Sequence, residues 1–139
     1  MARGETGRTI LVIDGDADVA DSLAMLLGYW GYRVEVARSG DAGLAVAIAT
    51  RPDAILLDLA LPGLDGYAVA ARLRARGDFD GVPIIAVTGY GRESDRRRSR
   101  EAGIDHHVLK PCDSVDLLNF LGDPAAAAVP RAVQGSGSS

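Results

Sequence analysis

Five short runs of β-branched and other apolar residues recur along this chain: TILVID (9–14), YRVEVA (32–37), AILLD (54–58), PIIAVT (83–88) and HHVLK (106–110). Runs of this length bounded by turn-forming residues read as strands. Between them the apolar period changes. Val19, Leu23, Leu26, Leu27 and Trp30 follow the first run at intervals of three and four, and Leu64, Val69 and Leu73 follow the third among several alanines. That spacing is the signature of a helix with one buried stripe. Strand and helix therefore alternate five times. Strands that are apolar nearly throughout need cover on both faces, so the expected fold is a doubly wound α/β domain: a five-stranded parallel sheet, right-handed crossovers, and helices on both sides.

Boundary signals agree with this reading. Asp16 can cap the first helix, Gly31 can end it, and Asp113 can cap a last helix whose core face is Val115, Leu118 and Leu121. One domain over 8–121 is expected, with 1–7 as a flexible N-terminus. The stretch GDPAAAAVPRAVQGSGSS (122–139) is too poor in large apolar residues to order itself and reads as a disordered tail or linker. Segment 91–103, GRESDRRRSREAG, offers only Ala102 as an interior apolar residue. It is expected to be a helix polar all round, its arginines on a solvated face, held by Glu93 with Arg97 and Arg97 with Glu101 at ~0.2–0.5 kcal/mol a pair.

Composition excludes several classes of function. No apolar run in the 139 residues approaches the ~20 needed to cross a bilayer, so no membrane insertion is expected. The start, MARGETGRTI, lacks the apolar core of a secretory signal, and a lone cysteine, Cys112, cannot form an internal disulfide. Both fit a cytoplasmic location. A net charge of −4 argues against direct nucleic-acid binding, which needs a clustered basic surface.

The candidate chemistry lies at the strand ends. Ligands of an open parallel sheet bind beyond the carboxyl ends of its strands. Here the first strand ends at Asp14, the third at Asp58, the fourth at Thr88 and the fifth at Lys110. Each alone is ordinary: an acid in a turn, a terminal threonine, a lysine reaching water. Together they form a set. Two neighbouring carboxylates repel unless a hard cation such as Mg²⁺ joins them. A carboxylate can also act as a nucleophile towards phosphorus, with a hydroxyl and an ammonium stabilising the charge on the transferring oxygens. Asp58, Thr88 and Lys110 suit those roles.

On these residues the chain resembles the receiver domain of bacterial two-component response regulators, over nearly all of 8–121. DLALPGLDG (58–66) is similar to the family's phosphoacceptor loop, AVTGY carries Thr88 followed by the small Gly89, and LKPCD carries the Lys110-Pro111 pair. The resemblance implies a flavodoxin-like sheet in the order 2-1-3-4-5, phosphorylation of Asp58 and a cis bond before Pro111. It also implies phosphate binding or switching by Thr88, Gly89, Lys110 and His107. Mg²⁺ is implied on Asp14, Asp58 and the backbone carbonyl of Ala60, with Asp16 as a further candidate ligand. The implied partners are a histidine kinase or histidine phosphotransfer domain, and a second copy through the face of the fourth helix and fifth strand. DADVADSLAMLL and GRESDRRRSREAGIDHHVLKP look most like receivers associated with hybrid histidine kinases.

The chain departs from the family pattern at several positions. Where receivers carry two adjacent acids after the first strand, this chain has Asp14 and Gly15, which implies a weak Mg²⁺ site. His107 stands at the switch-aromatic position, and Ala60 and Tyr90 stand where receivers admit and orient the hydrolytic water. His106 and His107, adjacent in a strand, should face opposite ways and so not share a metal. Two other readings remain open. One is a receiver-like binding module that no longer uses phosphate, favoured by Gly15. The more remote one is a phosphatase of the haloacid-dehalogenase type, since VIDGD also resembles that family's Asp-x-Asp motif; apart from it, no classical enzyme is expected.

Overall fold

The computed structural model describes residues 7–88, 96–109, 117, 120 and 121. Expectations for Gly89, Tyr90, Glu93, Lys110, Pro111, Cys112, Asp113, Val115 and Leu118, and for 1–6 and 122–139, lie outside the described residues.

The elements are β1 (Thr9–Ile13), α1 (Ala17–Tyr29), β2 (Arg33–Ala37), α2 (Gly40–Thr50), β3 (Ala54–Asp58), α3 (Gly66–Arg76), β4 (Ile84–Thr88), α4 (Arg96–Ala102) and β5 (His106–Leu109). All strand pairings are parallel, in the order β2-β1-β3-β4-β5. The doubly wound expectation and its strand order hold. β3 and β4 are buried at every position because both faces of the sheet are covered.

Two cores result, one per face. Ile10, Val12, Leu56, Ile85, Val87 and Val108 pack with Ala20, Leu23 and Leu27 of α1 and with Leu117 and Leu121. Leu11, Ile13, Ile55, Leu57, Ile84 and Ala86 pack with the α2, α3 and α4 side, including Val69, Leu73, Phe79, Ala102 and Ile104. Each fully buried Leu, Ile or Phe contributes roughly 1.5–3 kcal/mol. Leu117, absent from the expected core face of the last helix, is fully buried, alongside the expected Leu121.

Helix ends follow local chemistry. Asp16 Oδ1 accepts from the backbone N–H groups of Asp18 and Val19 and so caps α1, and Gly31, at φ 101°, takes the left-handed turn beyond its end. Ser39 and Asp65 cap α2 and α3 in the same way. α2 ends on Arg51, a non-glycine in the left-handed region at φ 53°, a conformation that costs about 1–2 kcal/mol. Arg51 is held there by an ion pair of 2.7 Å with Asp78. Hydrogen bonding from Arg76, with a smaller contribution from Arg51, holds the Asp78 carboxyl below its ordinary range.

α4 corrects one expectation. Its polar residues are not all solvated: Ser99 is buried, alongside the expected apolar Ala102. Among the described residues Arg97 makes no ion pair with Glu101; it is Arg98 that pairs, 3.4 Å from Asp65. A polar residue can occupy a buried helix position when it is hydrogen-bonded, and Ser99 is.

Candidate functional site

The parallel register aligns the strand ends. Ile13 pairs with Leu57, which sets Asp14 beside Asp58 on adjoining strands, both in the alternation that faces the α1 side of the sheet. Asp58 pairs with Val87 and Thr88 with Leu109, so Thr88 ends β4 one position further along. Asp14, Asp58 and Thr88 are all buried. The residues that the sequence separates by 44 and 30 positions thus share one sheet edge.

The loops around them are arranged by the carboxylates themselves. Asp14 Oδ1 accepts from the backbone N–H of Asp16 at 2.9 Å, and Asp58 Oδ1 accepts from the backbone N–H of Ala60 at 2.9 Å. Each bond folds the chain back over its strand end. Asp16 is exposed and both cap bonds fall on the same oxygen, Oδ1. Helix capping is therefore the role its geometry displays.

Gly66 is required where α3 meets this loop. A Cβ there would lie 2.6 Å from the Asp58 carbonyl oxygen and 2.8 Å from Leu59 Cα, both backbone atoms. The first turn of α3 consequently rests directly on the end of β3. Gly66→Ala is expected to destabilise the fold by about 2–3 kcal/mol, as overpacking against rigid backbone does, measured as a lower urea midpoint with unchanged slope. Gly15 is the opposite case. A Cβ there would meet only the Arg38 carbonyl oxygen and Pro62 Cδ, each at 3.6 Å, and its φ is not in the left-handed region. Nothing steric requires glycine at this position.

Two buried carboxylates at adjoining strand ends are oxygen donors of the kind Mg²⁺ takes while keeping several waters. Among the described residues, no cluster of three or more His, Cys, Asp or Glu side chains can hold a metal. The set fits a hydrated Mg²⁺, with one carboxylate fewer than Gly15→Asp would supply.

His106 and His107 do face opposite ways. His106 stacks on Phe120 with ring centroids 4.2 Å apart, whereas His107 Nε2 lies 2.8 Å from Ser99 Oγ of α4. Sequence reasoning missed Ser99 and Asp65. Ser99 reads as one more polar residue in an arginine-rich stretch; the signal for Asp65 was its place one residue before Gly66, at the start of a helical pattern.

The chain is a doubly wound parallel sheet with buried acids at the ends of β1 and β3 and a hydroxyl ending β4, gathered at the edge where open α/β domains bind their ligands. The chain belongs to the response regulator receiver domain family, whose model matches residues 10–121. It is similar to the response regulator MprA of Mycolicibacterium vanbaalenii, 39% identical over 109 residues that make up 78% of this chain and 46% of that protein. The chain thus spans about half the length of the curated relatives it matches. Among solved structures, a putative response regulator from Chloroflexus aurantiacus superposes with TM-score 0.77 at 33% identity, covering 86% of this chain and 98% of that one. The signal receiver domain of a signal transduction histidine kinase from Syntrophus aciditrophicus gives 0.76 at 30%, covering 88% and 93%.

Receiver domains are signalling domains of two-component systems rather than classical enzymes. They generally bind Mg²⁺ at the phosphorylation site and interact with histidine kinases or phosphotransfer proteins. No described helix is long and apolar enough to cross a membrane.

Proposed function

We propose that this chain is a phosphoacceptor receiver in which Asp58 takes a phosphoryl group from a histidine of a kinase or phosphotransfer domain and thereby switches a protein-interaction surface. The observation that carries this reading is Asp58 itself, a buried carboxylate beside Asp14 at a sheet edge that also ends in Thr88. In the transfer, an Asp58 carboxylate oxygen attacks phosphorus as the P–N bond of the donor breaks. The electron pair of that bond returns to the imidazole nitrogen, which takes a proton from solvent. The Thr88 hydroxyl donates to a phosphoryl oxygen, the Lys110 ammonium pairs with another, and Gly89 leaves room for them. Asp14, Asp58 and the Ala60 carbonyl would hold Mg²⁺, which when bound neutralises charge on the transferring oxygens.

In this reading one domain covers 8–121, the chain works in the cytoplasm, and its acidic balance favours a protein over a nucleic-acid partner. A second copy would meet it across α4 and β5, where Leu109 is exposed on an edge strand. The test is intact-mass measurement after incubation with acetyl phosphate, with and without Mg²⁺. A single phosphoryl increment that requires Mg²⁺ is expected. Its absence on the folded chain at high Mg²⁺ favours the phosphate-independent binding module, the reading for which Gly15 speaks.

The adduct is expected to be long-lived. Ala60 offers no side-chain donor or acceptor to orient an attacking water, and Tyr90 is bulky where a small polar group would serve that water. Followed by mass in buffer after removal of acetyl phosphate, the adduct should persist for hours. Decay within seconds would count against this role for Ala60 and Tyr90.

A further inference from the structure

α4 has little apolar surface with which to hold its place. Among its described side chains only Ser99 and Ala102 are buried, so its position is set largely by polar contacts. One is at its C-terminal end, where Arg74 Nε of α3 donates to the Gly103 carbonyl at 3.0 Å while Arg74 Nη2 pairs with Asp105 at 2.8 Å. A second is the Ser99–His107 hydrogen bond to β5. The third leads elsewhere. Arg98 Nη2 lies 3.4 Å from Asp65 Oδ2, and the guanidinium carbon sits 4.2 Å from the centroid of the Tyr67 ring.

Asp65 belongs to the loop that begins at Asp58, and its two oxygens divide their work. Oδ1 caps α3 by accepting from the Ala68 N–H at 2.9 Å, and Oδ2 takes Arg98. Between Asp58 and Asp65 there is little slack. The Gly66 N–H donates to the Leu59 carbonyl at 3.3 Å, and Gly66 packs on the Asp58 and Leu59 backbone with no room for a methyl group. The end of β3 and the start of α3, where Arg98 is attached, are therefore packed directly on one another.

We propose that Arg98 is a positioning residue that tethers α4 to the phosphoacceptor loop through Asp65 and Tyr67, giving the state of Asp58 a route to α4 separate from Thr88 and His107. The proposal rests on the phosphoacceptor reading. The tether has the strength a switch needs. Its ion-pair side chains are 56% and 38% exposed, so the contact is weak enough to be reset when the single negative charge of the Asp58 carboxylate gives way to the roughly 1.5–2 negative charges of a phosphoryl group. The planar guanidinium matters as well as the charge, because a lysine ammonium can pair with Asp65 but lies less well on a ring.

Hydrogen exchange of the full chain tests this in two arms, using Arg98→Gln, Arg98→Lys and Asp65→Asn. Asparagine caps a helix as well as aspartate, so Asp65→Asn removes the pair and spares α3. Without phosphate, α4 amides should exchange about threefold to tenfold faster in Arg98→Gln and Asp65→Asn, with Arg98→Lys between them and wild type, and α3 unchanged. Unchanged α4 exchange in both overturns the tether. In the second arm each protein is loaded with acetyl phosphate and Mg²⁺ to equal adduct. The exchange shift that loading produces in wild-type α4 should fall by at least about half in both variants, with the β5 response retained. An undiminished shift in the variants, or none in wild type, overturns the route. Failure of the wild type to form an adduct counts against the phosphoacceptor reading instead, and the first arm still decides the tether.

Discussion

Asp58→Asn is expected to take up no phosphoryl group from acetyl phosphate at any Mg²⁺ concentration, a complete loss rather than a reduction. An amide oxygen is too weak a nucleophile to attack phosphorus, whereas the shape of the side chain is kept. The variant should remain folded for an identifiable reason. The substituted amide keeps an Oδ1 acceptor for the Ala60 N–H that lies 2.9 Å from the carboxylate in the native chain, so the turn beyond β3 is preserved. Asp58 and Asp14 are also adjacent buried acids, and neutralising one relieves repulsion between them. The urea midpoint of Asp58→Asn should therefore equal or exceed that of wild type. Intact mass reads the first expectation and chemical denaturation the second. An Mg²⁺-dependent adduct of native extent on the variant would make another group the acceptor.

Most of this architecture was legible because it depends on period. The apolar runs predicted β3 as 54–58, as observed, and placed the other strands within a residue of the observed ends, with Lys110 outside the described residues. α1 and α3 were legible through their stripes. α2 is harder to see: Leu44, Val46, Ala47 and Ile48 crowd all sides of a short helix, and its buried positions are the small residues Gly40, Gly43 and Ala47. A Cβ on Gly43 would lie 2.6 Å from Ile13 Cδ1. A helix that docks through the absence of side chains leaves no apolar stripe to read.

The site divides in the same way. Asp14, Asp58 and Thr88 could be grouped from sequence because a parallel sheet brings strand ends to one edge whatever the details of packing. What could not be read is how polar residues divide their bonds. Asp16 has the composition of a metal ligand and the geometry of a helix cap. Ser99 looks solvated in RRRSR yet is buried by its bond to His107. Arg98, rather than Arg97, carries the ion pair, because its partner lies across a helix–helix groove instead of one turn along α4. Such partners are fixed by three-dimensional approach and leave no trace in residue spacing.

Gly15→Asp is expected to tighten Mg²⁺ binding by about tenfold to a hundredfold, the gain that roughly 1.4–2.8 kcal/mol represents. One added carboxylate ~4 Å from a divalent ion contributes about 2 kcal/mol at the dielectric of water and about 8 at an effective value of 20, before desolvation is subtracted. The position can take the change. It is exposed, its backbone is not in the left-handed region, and the added Cβ meets its neighbours at ordinary contact distance. Desolvation should therefore take only part of the gain, and the fold should be undisturbed. Calorimetric titration with Mg²⁺ measures the effect, and it should appear independently as a lower Mg²⁺ requirement for adduct formation on Asp58. No gain in either would mean that the ion does not sit within reach of position 15, and the glycine would then be neutral to the chemistry. A gain in both, together with slower adduct formation in wild type at limiting Mg²⁺, would make the glycine a device that ties phosphorylation to Mg²⁺ concentration, because a site of lower affinity remains responsive in a range where a complete acidic pair is already saturated.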